Sequence, residues 1–573
     1  MANEFKVKNG LIVNGNQKLI NSSNLTKYAN FDIDSNGNYS IQSAAGIRQS
    51  SAILTTTSVD QVVLHSFSIE EFVAGEYIIS AKRGEIRQVT KILLIHDGTT
   101  ASASEFGTIL TSIRLFTVEV DINAANVRIL VTPTGITSTI FKTQFTLLGS
   151  IGDILESVTA GNAGFGVGVY NGELPQGFTA LDGTTIPTSD NYGNYQYSDG
   201  SIMCWIPKFY YRIGSSNSSR YPIYELNAFD IAFASDFANE TEANQAGYAL
   251  HRAFKNGGNV VNGFMIDKYQ CSKNGSVASS IKNGAPLSSN AAHNPFSSIG
   301  CNNYYYGALD AAKTRGPQFH CASRFQFAAL ALLSVAHGQA ATSATYCAWY
   351  DVSKSTNFPK GNNNYLKDIN ESSLTWTSDG YSNPASGLTG SASVFAKSTH
   401  NGQNCGVADL NGNMWEINLG MVRDSENTNF YILKESVDVN LLTSGTSTLA
   451  SGYEAWGNST HLSTLYDTIA LSHIGDATGW KYFGNGGNQV LDPAVSGNGY
   501  QQTALGIYTS TGEGAGINLF GNDGIYESKT ANLCLLSGGG WGDTAYDGVW
   551  ALDLNGGRTY SNRGVGFRAA AYV

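Results

Sequence analysis

The sequence LLSGGGWGDTAYDGVWALDLNGGRTYSNRGVGFRAAAYV, residues Leu535 to Val573, crowds tryptophan, tyrosine, aspartate and arginine into a glycine-rich stretch. Its three glycines at 538–540 predict a tight turn, because glycine adopts backbone conformations that other residues avoid. Its apolar ending, GVGFRAA, predicts a strand that returns through the centre of a sheet with Phe567 buried. Large amphipathic side chains between two such fixed ends predict a recognition surface on a rigid scaffold.

The whole chain has 573 residues, which is too long for one hydrophobic core, so we expect three or more domains. Hydrophobic residues make up 42%, enough for ordinary globular packing, but charged residues make up only 14%, below the roughly 25% of typical soluble proteins. A surface of Asn, Ser, Thr, Gly and Tyr is common in extracellular and virion β-proteins. The net charge of −11 argues against nucleic acid as the main partner.

Targeting and redox features are few. The start, MANEFKVKNG, has no apolar segment typical of a cleaved signal, and no stretch has the length of a membrane span. We therefore expect neither a signal peptide nor membrane insertion. Seven cysteines at irregular spacings, with no C-x-x-C pair, predict free buried thiols in preference to disulfides or a zinc site.

The pattern of strands and turns changes along the chain and predicts a mainly β, multidomain protein. Residues 1–50 show short strands with Asn-Gly turns, as in an attachment or oligomerisation segment. Residues 51–149 alternate apolar and polar positions over about six strands, which predicts an antiparallel β-sandwich. Residues 150–199 are glycine-rich and predict a linker or a wrapped loop. Residues 200–573 contain every tryptophan and cysteine, and predict an α+β domain with long loops.

Two helices are predicted in that last region. SRFQFAALALLSVAHG has Ser323 as its N-cap and Gly338 as a C-terminal stop. YYGALDAAKTRG is a weaker helix just before it. The following 230 or so residues are mostly loop-like, and loops on this scale in a compact domain normally carry function.

Four motifs in chain order resemble the formylglycine-generating enzyme and sulfatase-modifying-factor family. They are NGFMIDKYQCSKNG (Asn262 to Gly275), SRFQFAAL, GVADLNGNMWEI (Gly406 to Ile417) and the ending GGGW…GVGFRAA. The resemblance covers roughly residues 200–573. It implies a variant C-type lectin fold with small twisted sheets, two helices and long ordered loops.

The same family includes the variable tropism proteins of diversity-generating retroelements and the receptor-binding proteins of some bacteriophages. The N-terminal pieces, FKVKNGLIVNGN and VTKILLIHDGTTASASEFGTI, are similar to attachment and β-sandwich modules of phage tail fibres. In the diversified relatives the varied positions fall in the stretch that matches the C-terminal segment here. The resemblance therefore implies that this segment contacts the ligand.

The family's enzymes oxidise a cysteine by means of a copper-binding cysteine pair that follows the glycine turn. Here Gly542 to Val573 contain no cysteine, and Cys534 precedes the turn. Soft thiolate ligands suit Cu(I), so other side chains do not replace them. No Ser/His/Asp arrangement is evident in their place. We therefore expect that this protein is not an enzyme.

In the enzyme relatives the turn LNGNMWEI supplies oxygen ligands to a structural calcium ion. The resemblance implies that Asn411 and Glu416 and the carbonyl groups of Gly412 and Met414 do so here. Hard oxygen ligands at alternating positions suit calcium. The alternative is an Asn-Gly turn in which Glu416 accepts hydrogen bonds from loop amides. No other cofactor is expected.

The candidate ligand-binding residues combine aromatic contact area with hydrogen-bonding groups. They are Trp541, Asp543, Tyr546, Asp547, Trp550, Asp553, Asn555, Arg558, Tyr560 and Asn562. Such a surface suits sugar rings, whose C–H faces stack on aromatic rings, and it would equally suit a protein epitope. For Trp541 the alternative is a tryptophan that fills the core, whereas Trp550, Tyr546 and Tyr560 are expected at the exposed face.

Together these features predict an adhesin of a phage tail fibre or tail tip, located in the virion and made in the host cytoplasm. We expect a homotrimer whose N-terminal region attaches to other tail or baseplate proteins. Its C-terminal domain would bind a glycan or outer-membrane protein of a bacterium, and several copies would gain avidity. The alternative is a structural virion or baseplate protein whose lectin-like domain contacts other virion proteins.

Overall fold

The computed structural model describes most of the chain in two compact units, Met1–Ser157 and Val158–Val573. The described residues are 17–21, 24–33, 39–43, 47–69, 72–149, 158–237, 239–351, 358–381, 386–423, 429–444, 462, 464–474, 478–483, 489–509 and 520–573.

The first unit is built from strands alone in its described part. They are β1 (Gln17–Asn21), β2 (Asn24–Ile33), β3 (Tyr39–Ser43), β4 (Ile47–Thr56), β5 (Val62–Ser68), β6 (Phe72–Arg83), β7 (Ile86–His96), β8 (Ala101–Leu110), β9 (Phe116–Asn123), β10 (Asn126–Pro133) and β11 (Thr139–Gly149). Eight of them form one sheet in the order β1-β2-β3-β4-β11-β6-β7-β8, and three form a second sheet in the order β5-β10-β9. All neighbours pair antiparallel.

The alternation seen in the sequence becomes the burial pattern of the two sheets. In β7, Ile92 and Leu94 are buried while Leu93 and Ile95 are exposed, because successive side chains point to opposite faces of a strand. Buried side chains from both sheets, including Val127 of β10, share one core. The predicted antiparallel sandwich is confirmed. Strands β1–β3 extend its larger sheet from β4, so the described strands before residue 47 are part of the sandwich.

The second unit mixes short strands and α-helices, and five of the helices lie wholly within the residues that the structure describes. The helices are α1 (Tyr221–Tyr224), α2 (Glu240–Gln245), α3 (Gly307–Lys313), α4 (Arg324–Ala340) and α5 (Gly497–Ala504). The strands are β12 (Phe178–Ala180), β13 (Asn194–Tyr197), β14 (Ile202–Pro207), β15 (Phe209–Ile213), β16 (Phe229–Phe233), β17 (Ala249–Leu250), β18 (Lys255–Asn256), β19 (Asn259–Val260), β20 (Gly263–Asp267), β21 (Ser272–Asn274), β22 (Val277–Ser279), β23 (Phe319–Cys321), β24 (Trp415–Asn418), β25 (Met421–Arg423), β26 (Phe430–Leu433), β27 (Tyr466–Ile469), β28 (Gly479–Tyr482), β29 (Gly524–Glu527), β30 (Leu535–Ser537), β31 (Leu552–Asp553), β32 (Val565–Gly566) and β33 (Ala569–Ala571).

Two six-stranded sheets organise this unit. Their orders are β12-β13-β14-β20-β33-β23 and β28-β29-β31-β30-β24-β32. Strand β33 pairs antiparallel with β20 on one side and β23 on the other, and Phe567 beside it is fully buried. The expected return of the C-terminal segment through the centre of a sheet is therefore confirmed. The protein is mainly β, with several antiparallel sheets, as the sequence predicts.

Helix α4 begins as predicted and ends later than predicted. The Ser323 hydroxyl accepts a hydrogen bond from the backbone N–H of Gln326, whose side chain accepts one from the N–H of Ser323 at 2.9 Å. Gly338 does not stop the helix, which continues to Ala340. Its role is close packing, since a Cβ atom there would lie 2.9 Å from the Trp349 ring. No described helix is both long enough and apolar enough to cross a membrane.

The predicted linker over residues 150–199 is wrong from residue 158 onward. Strands β12 and β13 of this segment are part of the first six-stranded sheet. Phe165, Tyr192 and Tyr195 are buried, which a solvated linker would not allow. Isolated aromatic residues spaced along a glycine-rich segment can thus anchor it to a core.

The seven cysteines are free thiols, as predicted. Six are buried and Cys301 is half-buried. Burial raises the pKa of Cys204 to about 12 and that of Cys301 to about 11, so these two thiols are protonated at neutral pH.

The N-cap of α4 gives a direct test of local stability. We expect Ser323→Ala to lower the free energy of unfolding of the second unit by about 1 kcal/mol, because the N–H of Gln326 loses its acceptor. Urea unfolding followed by tryptophan fluorescence measures this unit alone, since all tryptophans lie in it. Ser343→Ala, at an exposed loop position, is the matched control. Equal losses in the two variants would contradict the capping role.

Candidate functional site

A cleft of about 310 Å³ opens beside the second six-stranded sheet. Strands β24, β30, β31 and β32 supply part of its wall, because Leu536 pairs with Asp553 and Trp415 pairs with Val565 across the sheet. Loop residues complete it. The lining consists of Tyr305, Trp415, Leu536, Asp553, Asn555, Gly556, Tyr560, Asn562 and Val565.

Two tyrosines form an aromatic wall of the cleft. The rings of Tyr305 and Tyr560 meet edge to face, with their centroids 5.8 Å apart and their planes at 76°. The backbone N–H of Tyr305 donates to the carbonyl of Tyr560 at 3.3 Å, which fixes the two loops together. Tyr305 is buried, whereas Tyr560 is 57% exposed. Tyr560 therefore presents aromatic surface that a ligand can cover.

Asp553 is the acidic group of the cleft. Its Oδ1 atom accepts a hydrogen bond from the backbone N–H of Asn555 at 2.6 Å. Burial raises the pKa of Asp553 to about 6; the Asn555 N–H opposes this rise and the charge of Asp543 adds to it. The carboxyl group is therefore mostly ionised at pH 7 and becomes neutral below about pH 6.

Asn562 is fixed in the loop before β32. Its side-chain Oδ1 accepts from the N–H of Gly564 at 2.8 Å. Its backbone carbonyl accepts from the hydroxyl groups of Ser288 and Ser289, and its N–H donates to the hydroxyl of Ser289 at 3.1 Å. The loop that carries Asn562 is thus held by a segment more than 270 residues earlier in the chain.

A stack of aromatic rings continues from the cleft. Trp415 lies parallel to Trp480, with centroids 6.2 Å apart. Tyr546 stacks on Trp480 at 4.4 Å and on Tyr482 at 5.3 Å. The carboxylate of Asp543 accepts from the indole N–H of Trp415 at 2.8 Å. Tyr546 and Asp543 therefore support the wall of the cleft from outside its lining.

Trp541 and Arg558 are also absent from the lining of this cleft. Trp541 is half-buried and stacks on His293, with centroids 6.0 Å apart. The carbonyl of Arg558 accepts from the N–H of Tyr306 at 3.2 Å, and its own N–H donates to the carbonyl of Asn532. Four of the ten candidate residues therefore line the cleft, namely Asp553, Asn555, Tyr560 and Asn562.

The expected exposure of Trp550 at the binding face is wrong. Its side chain is fully buried and packs against Phe229, Phe483 and Phe520. Asp547 is also fully buried, beside the glycine turn. A Cβ atom at residue 539 would lie 1.9 Å from its Oδ1, which explains the glycine there.

The residues implied as calcium ligands do not fit a calcium site. Both carboxylate oxygens of Glu416 accept from the guanidinium group of Arg568, at 2.6 and 2.5 Å. The carbonyl of Met414 accepts from the side chain of Gln270 at 3.0 Å. The buried Oδ1 of Asn411 accepts no bond from the described residues, but calcium takes six to eight oxygen ligands. No group of three or more His, Cys, Asp or Glu in the described ranges could hold a metal ion.

A buried Ser-His-Asp cluster lies beneath Trp541. The Nε2 atom of His293 is 2.8 Å from the Asp379 carboxylate and 3.1 Å from the Ser386 hydroxyl. Ser386 and Asp379 thus both contact Nε2 of His293. In a catalytic triad the serine and the aspartate contact different ring nitrogens of the histidine. The Ser386 side chain is also fully buried. This cluster is a structural hydrogen-bond network.

Sequence reasoning missed two aromatic residues of the cleft. Tyr305 belongs to the run Tyr304–Tyr306, more than 240 residues before Asp553, and Trp415 belongs to the motif GVADLNGNMWEI, more than 130 residues before it. A run of three tyrosines was the available signal for the first. No local pattern indicates that both side chains meet the C-terminal segment, because only the sheet pairing brings them there.

No family model and no curated protein matches this chain. Two phage tailspikes are among the similar solved structures. One is the tailspike protein of Acinetobacter baumannii phage AM24, at 9% identity and a TM-score of 0.15, covering 18% of this chain and 26% of that one.

A second similar structure is tailspike protein gp49 from Acinetobacter baumannii bacteriophage Fri1, described as a capsular polysaccharide depolymerase. It is 9% identical with a TM-score of 0.13, and the match covers 20% of this chain and 19% of that one. Both matches are therefore short pieces of longer chains. The C-type lectin fold and the sulfatase-modifying-factor relationship stay predictions.

The expectation that this protein is not an enzyme is contradicted by that comparison, because a depolymerase is an enzyme. We withdraw it. The missing cysteines after the glycine turn bear only on copper-dependent oxidation of a substrate cysteine, which is one chemistry among many. The missing cysteines therefore do not exclude other enzymatic activities.

The ion pair of Glu416 can be tested against the calcium alternative. We expect Glu416→Gln to lower the free energy of unfolding by about 3–5 kcal/mol, because Arg568 is left as an unpaired buried charge. Glu371→Gln, which breaks the more exposed pair with Lys397, should cost about 1 kcal/mol or less. Thermal unfolding with calcium and with EDTA completes the test. A calcium-dependent gain that Glu416→Gln abolishes would contradict the ion-pair assignment.

The corrected position of Trp550 predicts a stability effect. We expect Trp550→Ala to lower the free energy of unfolding by about 4 kcal/mol, since it leaves a cavity among three phenylalanine rings. Tyr560→Ala, at an exposed ring, should change it by about 0.5 kcal/mol or less. Urea unfolding curves compare the two. A loss below about 1 kcal/mol for Trp550→Ala would show that this side chain is not a core residue.

Proposed function

We propose that this protein is a receptor-binding protein of a bacteriophage tail and that it recognises a glycan on the bacterial surface. The observation that carries the glycan assignment is the cleft beside β31 and β32. Its volume of about 310 Å³ is at the lower end of small-molecule sites, and its lining combines tyrosine and tryptophan rings with carboxylate, amide and hydroxyl groups.

The chemistry of the cleft suits a sugar ring better than a protein epitope. Tyr560 offers an exposed aromatic surface against which C–H groups can pack, and Tyr305 closes the wall behind it. Asp553 and Asn555 provide polar atoms for hydroxyl groups. A protein epitope would call for a broader surface, and a standard protein interface buries about 800 Å² on each partner.

The tail assignment rests on composition and architecture. The charged fraction of 14% and a surface rich in Asn, Ser, Thr and Gly are typical of virion β-proteins. The β-sandwich unit precedes the larger unit with its long loops, as in tail-fibre adhesins. In this proposal the protein is a homotrimer on the virion, and its N-terminal region contacts other tail or baseplate proteins. Several weak glycan sites then act together.

The test uses fluorescently labelled full-length protein and a panel of capsulated and uncapsulated bacterial strains, scored by flow cytometry. We expect saturable binding to some strains and about tenfold weaker binding for Tyr560→Ala, because an exposed aromatic contact is removed. Tyr346→Ala removes another exposed tyrosine, one that does not line the cleft, and should bind like the wild type.

Two results would overturn the proposal. One is equal binding of wild type and Tyr560→Ala to every strain that binds. The other is the absence of saturable binding across the whole panel, which would favour a structural role in the virion.

A further inference from the structure

The lining of the cleft carries a negative charge and no positive charge among the described residues. Asp553 is the acidic residue of its lining, and no lysine, arginine or histidine lines it among the described residues. The carboxylate of Asp543 lies nearby, bound to the indole N–H of Trp415, and its charge acts on Asp553. A ligand in this cleft therefore meets negative charge without a compensating cation from the lining.

Asp553 is held rigidly. Strand β31 pairs with β30 on one side and with β29 on the other, through Leu536 and Tyr526 opposite Asp553. The N–H of Leu554 donates to the carbonyl of Tyr526 at 3.0 Å. The pairing on both sides fixes the backbone of Asp553, and the hydrogen bond from the Asn555 N–H holds Oδ1 of its carboxyl group in place.

The polar side chains of the cleft offer a ligand one charged acceptor, on Asp553, and one neutral donor, on Asn555. Oδ1 of Asp553 already accepts from Asn555, and Oδ2 accepts no bond from any described residue. The side-chain oxygen of Asn555 accepts from the Thr530 hydroxyl at 3.2 Å, which leaves its NH₂ group as a donor. Oδ2 of Asp553 can therefore accept a hydrogen bond from a hydroxyl, amide or ammonium group of the ligand.

We infer that the cleft takes a neutral or amine-bearing sugar residue and excludes acidic sugars such as uronates. A carboxylate or phosphate on the ligand would face Asp553 in a partly desolvated cleft, where like charges repel more strongly than in water. A hydroxyl or ammonium donor would instead form a charge-assisted hydrogen bond. This inference rests on the proposed function, since it specifies the ligand class of the same cleft.

The test measures retention of full-length protein on purified bacterial polysaccharides that are sorted into neutral, amine-bearing and uronate-containing sets. We expect wild type to bind members of the first two sets and to bind the uronate set at least about tenfold more weakly. Asp553→Asn keeps the shape of the side chain and removes its charge. It should bind the preferred polysaccharides about tenfold more weakly and lose the discrimination against uronates.

Glu173→Gln is the matched control, because it removes an exposed acidic charge outside the cleft and should keep the wild-type profile. Equal binding of uronate and neutral polysaccharides by wild type would overturn the inference. An unchanged profile in Asp553→Asn would also overturn it.

The two proposals fail in different ways. Cell binding that depends on Tyr560, together with no retention on any polysaccharide, would overturn this inference and the glycan assignment while cell recognition through the cleft stands. Cell binding that is equal in wild type and Tyr560→Ala would overturn the proposed function and, with it, the inference.

Discussion

The buried ion pair between Arg568 and Glu416 is the contact on which the second unit depends. Both side chains are fully buried, so neither charge is hydrated. The guanidinium group donates to both oxygens of Glu416, and also to the carbonyls of Asp267 and Ala408 at 3.0 and 2.9 Å. Burial lowers the pKa of Arg568, but the charge and bonds of Glu416 more than offset this. A buried pair is tolerated only when it is satisfied in this way.

A second ion pair extends the network to the centre of the first six-stranded sheet. Arg315 donates to both oxygens of Asp267, at 2.6 and 3.0 Å, and one of those oxygens also accepts from the N–H of Ala569. Gln270 donates to Glu416 at 3.1 Å. The last strand of the chain is thereby tied to β20 and to the segment that begins β24. Each of the four resembling motifs except the α4 motif contributes a residue to this network.

The network also positions the cleft. Trp415 and Glu416 are neighbours on β24, and successive side chains of a strand point to opposite faces. With Glu416 held by Arg568 on one face, Trp415 is directed to the other, where it lines the cleft and stacks on Trp480. The rigid strands then carry Asp553 and Val565 into the same wall. The loop residues that line the cleft are thus supported by a sheet in which Glu416 is held by a buried ion pair.

The sequence by itself determined the features that depend on local or periodic chemistry. The alternation of apolar and polar residues predicted the sandwich, and Ser323 predicted the start of α4. The glycines at 538 and 539 predicted a turn, and both have positive φ. These inferences succeed because strand period, capping and glycine conformation act within a few residues.

Only the tertiary structure decided which of those residues can meet a ligand. Trp550 and Tyr560 are both aromatic residues of the C-terminal segment, and no local pattern distinguishes them. Trp550 is enclosed by three phenylalanine rings, whereas Tyr560 is exposed. The sequence leaves Glu416 either as a calcium ligand or as an acceptor for loop amides, whereas in the structure both of its carboxylate oxygens accept from Arg568, 152 residues away. The physical reason is that burial and charge pairing depend on neighbours in space, and the sheet pairing that brings those neighbours together leaves no mark in the local sequence.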